Sequence, residues 1–194
     1  LYTMKQYNNI CKYIHLPVQS GSNRILQLMN RTYTREWYLG RVKRIKEIMP
    51  ECAISADIIA GFCTETDEDH RDTLDLLDSV VFDFGYMFTY SERPGTPAEK
   101  KYKDDIEEST KQRRLAEIIA KQRLHSGIKN NLMVGTLQHV LVEGDSKKSD
   151  AHHYGKCDSG KVVVFRKVKE QKGEYVNVRI THCTTGTLIG EIES

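Results

Sequence analysis

Apolar positions in the first part of this chain come in short runs, each closed by a polar loop. Cys11 to Gln19 carries Cys11, Tyr13, Ile14, Leu16 and Val18 and stops at Ser20-Gly21-Ser22, the pattern of a buried strand entering a tight turn. Ser22 can cap a helix over Asn23–Asn30, and Thr34 can cap a second in which Tyr38, Val42, Ile45 and Met49 share a face until Pro50 stops it. Ala53 to Phe62 reads as a strand buried on both faces. Thr66 and Asp69 form a capping box for a helix with Leu74, Leu77 and Val81 at helical spacing, and Phe84–Tyr90 reads as a third strand.

This alternation of strand and helix predicts parallel pairing with right-handed crossovers, an α/β fold that is either an open sheet or part of a β/α barrel. After Pro94-Gly95-Thr96-Pro97, Asp105 to about Leu132 favours helix, with Ile106, Leu115, Ile118, Ile119 and Leu124 available for packing. Beyond Gly135 the periodicity changes. Thr136–Val142, Lys161–Lys167, Tyr175–Thr181 and Thr187–Ile192 are short β-rich runs separated by Gly, Asp, Ser and Asn, which predicts a small OB-like all-β barrel of four or five strands. Two domains are expected, 1–132 and 133–194.

Composition narrows the class. Of the 194 residues 39% are hydrophobic and 29% charged, a globular balance. No apolar run approaches the roughly 20 residues of a membrane span, and the first residues lack a signal peptide's apolar core, so a cytoplasmic protein with no membrane partner is expected. A net charge of +2 identifies no partner by itself. The five cysteines, Cys11, Cys52, Cys63, Cys157 and Cys183, form no C-x-x-C pair and are expected as buried thiols in a reducing compartment. His152-His153 is expected as an exposed loop pair.

In a parallel α/β architecture the strand-to-helix loops gather at one edge, so Gln19–Ser22, Gly61–Glu65 and Tyr90–Thr96 are expected on one rim as candidates for a nucleoside-like ligand. Polar turns with no ligand would show the same composition.

Four segments tip that balance: His15–Ser22 (H-L-P-V-Q-S-G-S), Met29–Thr34 (M-N-R-x-Y-T), Asp57–Phe62 (D-I-I-A-G-F) and Tyr90–Ala98 (Y-S-x-R-P-G-T-P-A). In this order they resemble the second half of the radical-SAM domain of MiaB-like tRNA methylthiotransferases. Val140–Gly144, Tyr154–Lys156 and Val162–Phe165 likewise resemble that family's RNA-binding TRAM domain. The resemblance implies a partial TIM-like β/α barrel with an exit helix, followed by the TRAM barrel. It also implies conversion of a base C–H bond to C–SCH₃, commonly on isopentenyladenosine beside the anticodon. S-adenosylmethionine would serve as radical source and methyl donor, with two 4Fe–4S clusters and an electron donor.

The family holds its radical-generating cluster with three closely spaced cysteines, and this sequence contains no C-x-x-x-C-x-x-C. A C-terminal fragment, inactive alone, is the expectation. The resemblance maps Gln19 and Ser20 to the ribose and amino-acid portion of the cofactor, Ile59, Gly61 and Phe62 to its adenine, and Arg31 to its carboxylate. Gln19 and Ser20 serve equally as turn caps, Phe62 as core and Arg31 as an exposed structural arginine.

Arg93 is a candidate for substrate phosphate or for bracing its loop. On the barrel, Lys147, Lys148, Lys156, Lys161, Arg166, Lys167 and Lys169 are candidate phosphate contacts, with Tyr154 and Phe165 as stacking partners; a solvated charged face is the alternative. Where the family usually reads G-F-P-G-E-T, this chain reads Gly61-Phe62-Cys63-Thr64-Glu65-Thr66. A left-handed Thr64 would then carry strain, with Cys63 as a proline replacement. The partner expected is the tRNA anticodon stem-loop, together with self-association through the open barrel edge near His15. Alternatives are a stand-alone RNA-binding or assembly module, and a sister methylthiotransferase acting on threonylcarbamoyladenosine or a ribosomal-protein aspartate.

Overall fold

The structure, a computed structural model, describes residues 1–147, 149–167, 169 and 172–193. Its elements run α1 (Tyr2–Gln6), β1 (Tyr13–His15), α2 (Asn23–Leu28), α3 (Arg35–Ile48), β2 (Ala53–Ala60), α4 (Asp67–Val80), β3 (Phe84–Thr89), α5 (Pro97–Lys101) and α6 (Glu108–Asn131), followed by β4 (Leu137–Asp145), β5 (His152–Cys157), β6 (Val162–Arg166), β7 (Tyr175–Cys183) and β8 (Leu188–Ile192). Two compact units emerge. One comprises Ile14–Glu47 and Ile54–His125; the other comprises Leu1–Tyr13, Ile48–Ala53 and the chain from Ser126 onward. Among the described residues no helix is long and apolar enough to cross a membrane.

The first unit is built on a sheet ordered β1-β2-β3, with β2 and β3 parallel. The strand expected over Cys11–Gln19 is regular only at Tyr13–His15, yet the chain stays beside β2. Leu16 N–H donates to Ser55 O at 2.8 Å, and Gln19 forms a parallel bridge to Ile58. Strand β2 is not buried on both faces as expected: Ile54, Ala56, Ile58 and Ala60 are fully packed, whereas Asp57 and Ile59 are half-buried. Their parallel partners Tyr86 and Phe88 on β3 are exposed.

The helices start where local chemistry dictates. Ser22 accepts a hydrogen bond from Ile25 N–H at the start of α2, and Thr34 accepts one from Trp37 N–H before α3. Thr66 and Asp69 complete the reciprocal capping box of α4. On α4 the buried positions are Asp69, His70, Thr73, Leu76, Leu77 and Val80; Leu74 is half-buried, and Val81 ends the helix in a left-handed conformation.

Helix α6 departs further from the apolar reading. Leu124 is exposed, and the buried residues are Lys111, Arg114, Ile118, Gln122, His125, Ser126 and Asn130, a mostly polar stripe at helical spacing. Each polar member within the first unit has a partner: Lys111 pairs with Asp104, Arg114 with Glu65 and Asp67, Gln122 donates to Phe82 O, and His125 meets Asp78.

The second unit contains a closed barrel ordered β4-β5-β6-β8-β7, with β4 also pairing β7. All pairings are antiparallel except β6 with β8. Its core is Val140, Val142, Cys157, Val163, Phe165, Val178, Ile180 and Leu188. Strand β5 contains His152 and His153, so the pair expected in an exposed loop is half-buried in the barrel wall. All five cysteines are free; Cys52, Cys63 and Cys157 are buried, Cys183 is half-buried and Cys11 is exposed, correcting the uniformly buried expectation.

Two stability predictions follow from this packing. A β-carbon on Gly155 would stand 2.1 Å from Leu141 O, so Gly155→Ala is expected to cost about 1–3 kcal/mol in denaturant titration. Burial alone would raise the Asp69 pKa, but hydrogen bonds from Arg24, Ser22 and Thr66 hold it well below the usual carboxylate range. Its contribution is therefore complete above the unfolded carboxyl's pKa of about 3.9 and fades as pH falls toward the folded value. The stability gap between the parent and Asp69→Asn should shrink below about pH 4, as read from unfolding curves at stepped pH.

Candidate functional site

The three polar loops of the first unit meet. A cavity of about 570 Å³ is bounded by Gln19 from the first loop, Phe62 from the second, and Tyr90, Ser91, Arg93 and Thr96 from the third. The size lies within the roughly 300–1,000 Å³ usual for small-ligand pockets. Ile59 of β2 and Phe88 of β3 are parallel neighbours in its wall, Asp57 and Thr89 add polar groups, and Met29, Arg31 and Ala98 complete it.

Gln19 is fixed by its backbone. Its N–H donates to Asp57 O and its carbonyl accepts from Ile59 N–H, both at 2.9 Å, with φ at 73°. A non-glycine residue in the left-handed region is unusual and needs surroundings that impose it; here the two sheet hydrogen bonds do so. Ser20, expected at the cofactor, is fully buried away from the cavity wall. Its Oγ lies 3.3 Å from Thr73 Oγ1 and accepts from Ser22 N–H, so it holds the turn.

Gly61 also lies behind the wall. Its N–H donates to Glu65 Oε2 at 2.7 Å, and its φ of 75° and the nearby Lys111 methylenes, 2.3 Å from where a β-carbon would stand, leave room only for glycine. Glu65 in turn accepts from Arg114 at 3.0 Å, both residues being 4% exposed. Burial raises the Glu65 pKa, opposed by the Gly61 hydrogen bond and the Arg114 charge.

Phe62 is both core and wall. Its ring meets Tyr90 edge-on at 4.8 Å and Tyr102 at 6.3 Å, within a cluster that includes Ile25 and Cys63. Burial pushes the Cys63 thiol up and the Tyr90 hydroxyl up to about 12. Thr64 adopts φ 63°, the left-handed backbone expected if it inherits the family's glycine position. Thr64 N–H donates to Asp105 at 2.7 Å, while its carbonyl and hydroxyl accept from Arg24.

Six of the twelve arginines of this chain lie against carboxylates: Arg24, Arg35, Arg44, Arg113, Arg114 and Arg179. Arg31 and Arg93, both exposed and both in the cavity wall, have no carboxylate partner among the described residues. An apolar slot of Ile59, Phe62, Phe88 and Met29 beside an amide, a carboxylate and two unpaired guanidinium groups suits a nucleoside that carries a negatively charged end. These residues fit S-adenosylmethionine. Among the described residues no three His, Cys, Asp or Glu side chains gather as a metal site, so they do not fit an iron–sulfur cluster.

The barrel candidates separate into surface and interior. Phe165 is 0% exposed and so has no face to offer a base. Lys161 is 8% exposed and donates to Asn130 Oδ1 at 2.8 Å, which removes it from the surface set. Tyr154 is half-buried. Lys147, Lys156, Arg166 and Lys169 are exposed; Lys156 lies 3.5 Å from Glu143, and the half-buried Lys167 lies 2.7 Å from Asp145. Lys148 lies outside the described residues.

Comparison with known proteins agrees with both units. Residues 1–77 match the family model of the Radical SAM superfamily, and residues 131–192 match that of the TRAM domain. The fold is similar to that of coproporphyrinogen III oxidase (HemN) from Escherichia coli, a radical SAM enzyme. That similarity has a TM-score of 0.51 at 17% identity, over 75% of this chain and 40% of that one. The class is therefore a radical SAM α/β segment, a partial TIM-like barrel, joined to a small TRAM barrel.

Within it the chain is MiaB-like. It is 61% identical over 99% of its length to the tRNA-2-methylthio-N(6)-dimethylallyladenosine synthase of Amoebophilus asiaticus, and 56% and 52% identical to those of Christiangramia forsetii and Flavobacterium johnsoniae. It spans about two fifths of the length of these relatives, 40%, 39% and 40% respectively.

The buried pair behind the cavity gives a direct test. Arg114→Met leaves Glu65 buried without its counter-charge and is expected to cost about 3–5 kcal/mol in denaturant unfolding. Adding Glu65→Gln to that variant should restore part of the loss, because the amide still accepts from Gly61 without a charge to compensate.

Proposed function

We propose that this chain forms the S-adenosylmethionine cradle and the RNA grip of a tRNA methylthiotransferase acting on N6-dimethylallyladenosine, the isopentenyladenosine beside the anticodon. One observation carries the reading: three loops distant in sequence bound one cavity, whose wall combines an apolar slot with two arginines left without carboxylates. The names of the relatives supply the substrate class.

In this reading Ile59 and Phe62 sandwich the adenine, the Gln19 amide takes a ribose hydroxyl, and Arg31 pairs with the amino-acid carboxylate. Gly61 acts through the backbone that positions Phe62, and Ser20 through the turn that positions Gln19. Arg93, on the third loop, faces the substrate's phosphates. When bound and reduced through an iron–sulfur cluster fed by an external donor, the cofactor supplies the hydrogen-abstracting radical and the methyl group. The chain's residues orient it and present the base. The division of labour follows the expected boundary, with 1–132 holding the cofactor and 133–194 the tRNA stem-loop through Lys147, Lys156, Arg166 and Lys167.

A chimera tests the proposal. This chain replaces the matching segment of the Amoebophilus asiaticus synthase, the product is reconstituted with iron and sulfide, and modified tRNA nucleosides are measured by mass spectrometry. Formation of the 2-methylthio nucleoside is expected, with Arg31→Ala lowering S-adenosylmethionine affinity by roughly tenfold or more, the loss of a charge-assisted pair. A folded chimera that holds its clusters yet forms no product would overturn the reading.

A further inference from the structure

The barrel surface contains a feature that neither the motifs nor the cavity accounts for. On the wall shared by β4 and β7, the rings of His139 and Tyr175 lie parallel, 4.5 Å apart at an interplanar angle of 8°. Both are exposed, His139 with 53% of its side chain and Tyr175 at 57%. Burial of Val140, Val142, Val178 and Ile180 fixes the alternation that turns 139, 175 and 177 outward.

Strand register defines what surrounds the pair. Tyr175 aligns with Leu141, which aligns on its other side with Lys156 of β5, and His139 aligns with Asn177. Asn177 is exposed, and its side-chain amide has no partner among the described residues. Arg179 stands further along β7, held by Glu193. Acids are close as well: Asp158 lies 4.0 Å from His139, Glu193 donates its N–H to Asn177 O at 2.9 Å, and Glu143 lies 3.5 Å from Lys156.

We infer that the His139–Tyr175 pair is a stacking ledge for one unpaired, adenine-like base of the RNA, with Asn177 reading the base edge and Lys156 beside the backbone. The inference deepens the proposed RNA grip and rests on it. Stacked aromatic rings offer a flat face that any base can cover, and an Asn amide matches the donor–acceptor edge of adenine. Cations on the adjoining strands suit the phosphates on either side. Cross-strand aromatic pairs also stabilise sheets, so stability and binding must be read separately.

The experiment uses the 194-residue chain and RNA hairpins with 2-aminopurine at successive loop positions, beside a fully paired duplex of the same length. Binding should quench one loop position selectively. Tyr175→Ala and His139→Ala should each weaken hairpin binding by roughly 5- to 150-fold, the loss of one stacked base. Duplex binding should be unchanged. Tyr175→Phe and His139→Phe, which keep a flat ring, should bind nearly as the parent does, whereas a merely structural role would not distinguish ring-preserving from ring-deleting variants of equal measured stability. Equal binding of parent and alanine variants without selective quenching sinks the ledge but leaves the RNA grip standing, as does an equal loss on hairpin and duplex. If the parent chain binds no RNA even at low salt, both the grip and the ledge fall.

Discussion

A buried charge that cannot be left alone organises the first unit. Glu65 sits on the loop after β2 with its carboxylate out of water, accepting the Gly61 N–H on one side and the Arg114 guanidinium on the other. Separating such a pair is expensive, whereas replacing it by apolar groups need not be. Its presence therefore says more about geometry than about net stability. It ties the loop that carries Phe62 to one helical position on α6 and leaves that loop little freedom to drift.

The same logic explains why α6 docks through polar side chains. Lys111, Arg114, Gln122 and His125 each reach a fixed partner on a loop or helix end, so the helix is held in register by directional bonds, which tolerate less sliding than an apolar stripe would. The wall opposite is different in kind. Phe62, Tyr90 and Tyr102 meet edge to face, and the strand face carrying Ile59 and Phe88 supplies area without direction. A site with a rigid polar backing and an apolar front orients a planar ligand while leaving its polar ends to a few arginines and amides.

How much of this the sequence disclosed depends on the kind of signal. The caps at Ser22, Thr34 and Thr66-Asp69, the stop at Pro50 and the β2 and β3 strands were legible because each rests on local stereochemistry. The docking face of α6 was not, since a search for apolar periodicity selects Leu124 and passes over Arg114. Strand β5 was missed because His152-His153-Tyr154-Gly155-Lys156-Cys157 shows little apolar alternation. Motif likeness led to Gln19, Arg31, Ile59 and Phe62 in the cavity wall, but spacing alone could not show that Ser20 and Gly61 turn inward or that Phe165 fills the barrel. The His139–Tyr175 pair had no signal at all, because its partners come from different strands and meet only when the barrel closes.

The parallel pairing of β6 with β8 has a consequence for how the chain matures. Strand β8, the last element among the described residues, inserts between β6 and β7, so those two are bridged only when Leu188–Ile192 arrive. A ribosome still holding that stretch in its exit tunnel leaves the sheet unsealed, with one flank of β6 and one of β7 offering unpaired amides and carbonyls to neighbouring chains. Closure thus waits until Leu188–Ile192 have cleared the tunnel, and the interval before it is the one in which a chaperone would matter most.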